Sequence, residues 1–406
     1  MLSSRQEPYD DTAKEGALFM KILLTTDWFT PAVNGVVTSV LNLRKGLEER
    51  GHEVRILTLS HSSRSYVQDS VYYICSMGIG AVYPNARVGA AIPLKILKEL
   101  LFWKPDIVHS NCEFSTFPAA CHIAEKANAP LLHTYHTVYE NYTHYFSPSR
   151  AWGKVVARHF SRWVARRTDS IIAPTEKTAS LLRGYGICCP LYIIPTGISS
   201  PQAADPEETH KLRSRLGIAE GQTVLLFLGR LAREKNCAEL LRFMSRLYDF
   251  PVTLLLVGDG PERGPLEKLS QQLHLEKHVI FAGMVPPERV GHYYQLGDLF
   301  VSASTSETQG LTYMEALGAG VPLLCRRDAC LDGVVTQGAN GWQYTNEAEF
   351  AARAEEFIIH TEYREHMKSC ARAAGLRFSV ASFAQEIESA YIDCLRSHKQ
   401  RERGSA

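Results

Sequence analysis

From Lys21 onward the chain alternates short, continuously apolar runs with longer stretches whose apolar residues recur every third or fourth position, and it does so twice. Residues 22–25 are followed by Val36, Val40, Leu43 and Leu47 at helical spacing, and then by residues 54–57. Further strand-like runs stand at 107–109, 130–132, 171–173 and 192–194. A strand that is apolar at every position must be covered on both faces, and an intervening helix is the connection that lets two such strands pair in parallel. Turn formers at 199–206 break the pattern, and a second alternation runs through 224–228, 253–257, 279–281, 299–301 and 322–324. The expected fold is α/β, with two doubly wound Rossmann-like domains facing a central cleft. The expected organisation is an N-terminal flexible extension (1–19), a first domain (20–198), a linker (199–218), a second domain (219–376) and a C-terminal helix (377–406) that packs back on the first domain.

A chain of 406 residues has ample length for two cores. A formal net charge of +1 leaves no global bias toward nucleic acid. The ten cysteines form no C-x-x-C pair, which suggests neither a zinc ribbon nor a disulfide framework and fits a reducing, cytoplasmic setting. The acidic, polar start lacks the pattern of a secretory signal, and no apolar run approaches the ~20 residues needed to cross a bilayer.

The densest chemistry lies at Ser306-Glu307-Thr308-Gln309-Gly310-Leu311-Thr312-Tyr313-Met314-Glu315. A strand, a glycine turn and a helix start leave backbone N–H groups and the positive end of the helix dipole pointing outward, which suits phosphate. Glu307 and Glu315 bracket that anion site, an arrangement fitting a ligand that is anionic in the middle and hydroxyl-rich at both ends. Arg230 and Lys235 follow the first strand of the same half, where a guanidinium fork and a mobile ammonium divide the work of neutralising a diphosphate. Taken singly, each feature has an ordinary structural explanation; the weight lies in their convergence on one cleft. No D-x-D pair occurs, so no metal is demanded. Gly258-Asp259-Gly260 is assigned no chemistry, since any tight turn accounts for it.

In the first half, Gly35 opens a helix at the cleft edge, and His136 stands just past a strand end, with His133 and His144 as competitors. Arg150, Lys154, Arg158 and Arg162 recur every fourth residue, while Trp152, Val155, Val156, Phe160, Trp163 and Val164 fall on the other side of the same helix. With Arg166 and no acidic residue between 141 and 168, this segment suits an anionic membrane surface, or equally a core-packed helix with a solvated basic face.

Together these motifs resemble glycosyltransferase family 4, which has the GT-B fold, from about Met20 to the C-terminal helices. The resemblance implies that Glu315 binds the nucleotide ribose, Glu307 the donor sugar, and Arg230 with Lys235 the diphosphate. Amides at Gly310, Leu311 and Thr312 would cover phosphate and sugar, Gly35 would match the first-loop glycine, and Met284 with Val285 would meet the base. His136 corresponds to the histidine beside the transferred sugar. Within the family, residues 305–313, 135–140 and 330–334 are similar to bacterial 1,2-diacylglycerol 3-glucosyltransferases, and Gln309 stands where many members carry Phe. The implied enzyme is a retaining hexosyltransferase that needs no cofactor and takes glucose from UDP-glucose to diacylglycerol, peripheral on the inner face of the cell membrane. The first domain would then face acceptor and membrane, and the second would bind the nucleotide-sugar. Alternatives left open are phosphatidylinositol or a soluble or cell-wall precursor as acceptor, and a sugar-nucleotide epimerase; nucleic acid is not expected as a partner.

Overall fold

The computed structural model describes residues 18–32, 34–79, 87–89, 91–140, 150–199 and 205–405, without the side chains of 150, 402, 404 and 405. The first domain carries β1 (Lys21–Thr25), β2 (Glu53–Leu59), β3 (Tyr66–Gln68), β4 (Val71–Ile74), β5 (Ser76–Gly78), β6 (Arg87–Gly89), β7 (Ile107–Ser110), β8 (Leu131–Thr134), β9 (Ser170–Ala173) and β10 (Leu191–Ile193). Among the described residues these form one sheet in the order β10-β9-β8-β7-β1-β2-β4-β3, with β5 and β6 as a separate antiparallel pair. Pairing in the main sheet is parallel except at its β3 edge. The second domain carries β11 (Thr223–Leu228), β12 (Val252–Val257), β13 (Val279–Gly283), β14 (Leu299–Ser302), β15 (Leu323–Arg326) and β16 (Gly341–Tyr344), ordered β13-β12-β11-β14-β15-β16 and parallel throughout.

The continuous apolar strands are covered on both faces, as their composition requires. Ile22 and Leu24 of β1 pack with Val40, Leu43 and Leu47, whereas Leu23 joins Leu100, Phe117 and Ile123 on the opposite face. In the second domain Leu225 and Phe227 face Leu240, Trp342 and Phe357, while Val224 and Leu226 face Tyr294, Met314 and Leu317.

Helix Val380–Ser405 returns to the first domain and lies against helix Gly35–Glu49. The approach is close: a Cβ on Gly46 would sit 2.6 Å from that of Ala384. Glu388 on the returning helix accepts from Arg50 and lies 3.0 Å from His52 Nε2, and Tyr391 Oη lies 2.7 Å from His109 Nδ1. The stretch expected as a linker, 199–218, instead contains helix Pro206–Arg215, begun by Asp205, whose carboxylate accepts from Glu207 N. Its Leu212, with the following Ile218, joins the second-domain core. Strands β3, β4, β5, β6 and β16 were not among the expected ones.

In each sheet the strand order reverses beside the first strand, between β1 and β7 and between β11 and β14. A crevice opens beyond the carboxyl ends of the strands at such a point, and the two crevices locate the candidate site.

Candidate active site

After β11 the chain turns through Gly229 and Arg230 into the short 3-10 turn Arg233–Lys235. Arg230 is exposed and makes no ion pair among the described residues. Lys235 reaches across to the neighbouring crevice loop, its Nζ 2.5 Å from Glu307 Oε1. After β14, residues 303–310 lead into helix Leu311–Gly318, whose N-cap is Gly310 at φ 75 with no capping side chain. Only glycine fits there: besides the left-handed φ, a Cβ would meet the Tyr313 ring at 2.5 Å. The first amides of the helix therefore have no side-chain acceptor, which is the condition for an anion site. Glu315 lies within that helix, half-buried, and accepts from Tyr294 Oη at 2.7 Å. Burial raises its carboxyl above the ordinary range, partly offset by that tyrosine hydrogen bond.

The Gly258-Asp259-Gly260 turn, given no role from sequence, supports the Arg230 loop. A Cβ at Gly258 (φ +131) would stand 2.0 Å from the Gly229 carbonyl oxygen, and one at Gly260 would stand 2.3 Å from that of Leu231. Leu231 N in turn donates to the Asp259 carbonyl at 3.0 Å, and Gly258 N to that of Gly283 at 2.9 Å. Met284, next along, is 78% exposed, while Val285 is half-buried.

From the first domain, Gly35 begins its helix behind the Asn34 cap, whose Oδ1 accepts from Val37 N at 3.0 Å. A Cβ on Gly35 would lie 3.5 Å from Leu311 Cδ1, so the two helix starts face each other across the cleft. His136 follows β8, half-buried, with Nε2 3.1 Å from Asn111 Oδ1. Burial, aided by neighbouring His133, pushes this imidazole down to about 3, so the ring is neutral. His133 is buried within the sheet, 3.2 Å from Glu113 Oε1, and His144 lies outside the described residues. Asp27, after β1, accepts from Ser115 N at 3.0 Å and Thr116 N at 2.7 Å, and burial lifts its carboxyl to about 6.

Sequence reasoning missed the residues that join the halves. Thr175 Oγ1 donates to the Thr308 carbonyl at 2.9 Å, and Lys177 Nζ lies 3.0 Å from the Glu307 carbonyl and 2.6 Å from Asp328 Oδ1. Gln309 pairs with the backbone of Thr196 in both directions. No local signal marks these residues, since Thr175-Glu176-Lys177 reads only as a helix start. Among the described residues, no group of three or more His, Cys, Asp or Glu side chains is arranged to hold a metal ion.

Two family models divide the chain: Glycosyltransferase Family 4 matches residues 33–200, and Glycosyl transferases group 1 matches residues 208–374. An alpha-monoglucosyldiacylglycerol synthase of Streptococcus pneumoniae is 34% identical over 389 residues, spanning 93% of this chain and 87% of the relative. The chain belongs to glycosyltransferase family 4. A synthase of the same name from Acholeplasma laidlawii is 30% identical, covering 94% of this chain and 99% of that one. Among solved structures, Anabaena HepE in complex with UDP-glucose superposes with a TM-score of 0.70 at 19% identity, covering 92% of this chain and all (100%) of that one. Sucrose-phosphate synthase from Thermosynechococcus elongatus gives 0.72 at 18%, covering 93% and 100%. These two likenesses establish the GT-B fold of this glycosyltransferase.

The basic helix of the glycosyltransferase, Arg150–Ala165, does not bury its whole apolar stripe, as the core-packed alternative would require. The residues it buries include Gly153, Ala157, Ser161 and Val164, whereas Trp152 is 67% exposed and Val155 and Trp163 are also exposed. Trp152 is thus left outward, as are Lys154, Arg158 and Arg166, while Trp163 is partly exposed and packs on Phe117 and Phe160. Arg162 is not on the free face: its Nε donates to the Tyr185 carbonyl at 2.5 Å. Lys154 Nζ lies 3.3 Å from Glu140 Oε2, and the Arg150 side chain is outside the described residues. Among the described residues no helix is long and apolar enough to cross a membrane.

Proposed function

We propose that this glycosyltransferase moves glucose from UDP-glucose to the free hydroxyl of diacylglycerol, with retention at the anomeric carbon. The observation that carries this reading is full-length similarity, at 34% and 30% identity, to two proteins named alpha-monoglucosyldiacylglycerol synthase. The site supplies chemistry suited to it. Glu315 takes the ribose hydroxyls, the 284–285 loop meets the base, and Arg230, Lys235 and the amides of Gly310, Leu311 and Thr312 neutralise the diphosphate. Glu307, oriented by Lys235, holds sugar hydroxyls, and the neutral imidazole of His136 approaches the sugar from the first domain beside Gly35.

The bond from the anomeric carbon to the phosphate oxygen breaks with its electron pair going to the leaving diphosphate. The acceptor oxygen bonds to the same face of that carbon, and its proton passes to a phosphate oxygen of the leaving group. No protein nucleophile is needed, and the enzyme contributes preorganised charge and alignment. The acceptor reaches the cleft from an anionic membrane surface, where the glycosyltransferase docks peripherally, on the inner face of the cell membrane, through Arg150, Lys154, Arg158, Arg166, Trp152 and Trp163. Exposed tryptophan beside cations is the composition such a surface favours.

The test offers UDP-glucose, UDP-galactose or GDP-mannose to purified protein with diacylglycerol, phosphatidylinositol or no acceptor, and reads products by mass spectrometry. A hexosyl-diacylglycerol from UDP-glucose is expected. Product on phosphatidylinositol alone, transfer from GDP-mannose alone, or an altered sugar nucleotide without acceptor would sink the reading.

A further inference from the structure

We infer that Lys177 is a positioning residue that holds the Glu307 loop from the opposite domain, so that the donor site is complete only while the two domains are together. This rests on the reading of Glu307 as a donor-sugar ligand.

By chain connectivity, residues 303–310 belong to the second domain, yet successive groups along the loop are held from the first. Lys177 Nζ lies 3.4 Å from the Thr305 carbonyl and 3.0 Å from that of Glu307. Thr175 Oγ1 donates to the Thr308 carbonyl at 2.9 Å. The Gln309 carboxamide accepts from Thr196 N at 3.0 Å and donates to Thr196 O at 3.1 Å, imitating a rung of sheet pairing. From its own domain the loop receives the 2.5 Å Lys235–Glu307 ion pair on a side chain, and Ser304 and Ser306 hydroxyls each 3.4 Å from the Glu234 carbonyl.

The ammonium is itself fixed. Asp328, nearly enclosed, meets Lys177 Nζ at 2.6 and 2.8 Å while its Oδ1 also accepts from Cys330 N at 2.9 Å. An ammonium has three donors and no acceptor, and here they span one carboxylate and two loop carbonyls, the stronger bonds being charge-assisted. Separating the domains breaks the Lys177, Thr175 and Gln309 contacts together. Lys235, within the second domain, remains to hold the Glu307 carboxylate, but the backbone that carries it loses its fixed position. An ion pair between Lys177 and Asp328 that served only to join the domains would need no carbonyl of the loop.

The experiment compares Lys177→Met and Lys177→Arg with wild type. It measures turnover with the donor and acceptor that the wild type uses, UDP affinity by calorimetry, and amide exchange of the 303–311 peptide with UDP bound. Lys177→Met is expected to lower kcat about 10- to 100-fold, change the UDP Kd by less than about threefold, and speed exchange in that peptide while strand 223–228 stays protected. Lys177→Arg, keeping charge and donors, is expected to recover most of the loss. Unchanged kcat in Lys177→Met overturns the inference, as does an equal loss of UDP binding with exchange faster throughout the second domain, the sign of general destabilisation. Glu307→Gln separates the two levels. Wild-type turnover in that variant removes the donor-ligand reading and this inference with it; impaired Glu307→Gln beside intact Lys177→Met removes the inference alone.

Discussion

Replacing Lys235 with Met probes the charge balance on which the donor site depends. Lys235 Nζ is 2.5 Å from Glu307 Oε1, and both side chains are largely enclosed, at 26% and 15% exposure. Two unit charges about 4 Å apart in surroundings of effective dielectric ~20 interact by about 4 kcal/mol, which sets the scale for an ammonium facing a diphosphate oxygen. Lys235→Met removes that attraction and leaves the Glu307 carboxylate unpaired beside an anionic ligand, so both changes act in the same direction. At about 1.4 kcal/mol per decade the expected loss in kcat/KM is ~10³-fold. Most of it belongs in kcat, because negative charge on the leaving diphosphate grows as the glycosidic bond breaks. Steady-state kinetics over a range of donor concentrations reads the partition. Adding Glu307→Gln to Lys235→Met removes the stranded carboxylate, so the double variant should lose less than the two single losses combined. A Lys235→Met enzyme within about threefold of wild-type kcat/KM would refute the argument, because a charge at that place would then do nothing for the reaction.

Gly258→Ala should destabilise the second domain by about 2 kcal/mol or more and weaken UDP binding, because its Cβ would press to 2.0 Å on the Gly229 carbonyl at φ +131; urea melts and calorimetry check both, and a wild-type melt would remove the turn from the account of the Arg230 loop. Burial lifts the Asp27 carboxyl from 3.8 to about 6, so the folded state retains a proton that the unfolded state loses. Its stabilising contribution is therefore full below pH ~4 and is lost as pH rises through about 6, by up to about 3 kcal/mol. Urea melts across that window should show a flatter pH dependence in Asp27→Asn, whatever that change costs in hydrogen bonding to Ser115 and Thr116, and an unchanged slope would contradict the assignment. Arg158→Glu with Arg166→Glu should weaken binding to anionic vesicles by about 30-fold or more, at roughly 1 kcal/mol per basic residue removed; unchanged cosedimentation would take this helix out of the membrane face.

The strands at 22–25, 224–228 and 253–257 were legible because they are buried on both faces and so are apolar apart from a buried threonine, Thr25 or Thr253, at one end. Strands β4 and β16 were not, since four-residue segments holding Tyr72 and Tyr73, or Gly341 and Gln343, give little period to read. Helix Pro206–Arg215 lay concealed within turn formers, although Asp205 followed by Pro206 is a helix start in its own right, a capping carboxylate before a proline that lacks the N–H the helix does not use. The Glu307, Glu315 and Lys235 loops were placed together by strand ends alone, because the crevice follows from strand order. Lys177 and Thr196 were beyond reach, for their partners lie 130 and 113 residues away and depend on how one domain sits against the other. The basic helix shows a subtler limit. Periodicity separates its two stripes, but the side that is buried, at Gly153, Ala157, Ser161 and Val164, lies between them.

Charge stabilisation in this cleft is proposed to drive same-face transfer of glucose from UDP-glucose to diacylglycerol. NMR of the purified glycolipid made from those two substrates decides it, since the anomeric proton coupling reports configuration and the shifted glycerol carbon reports the attachment site. A single α-glucoside on the free glycerol hydroxyl is expected. A β-glucoside, or no glycolipid from these two substrates, would contradict it.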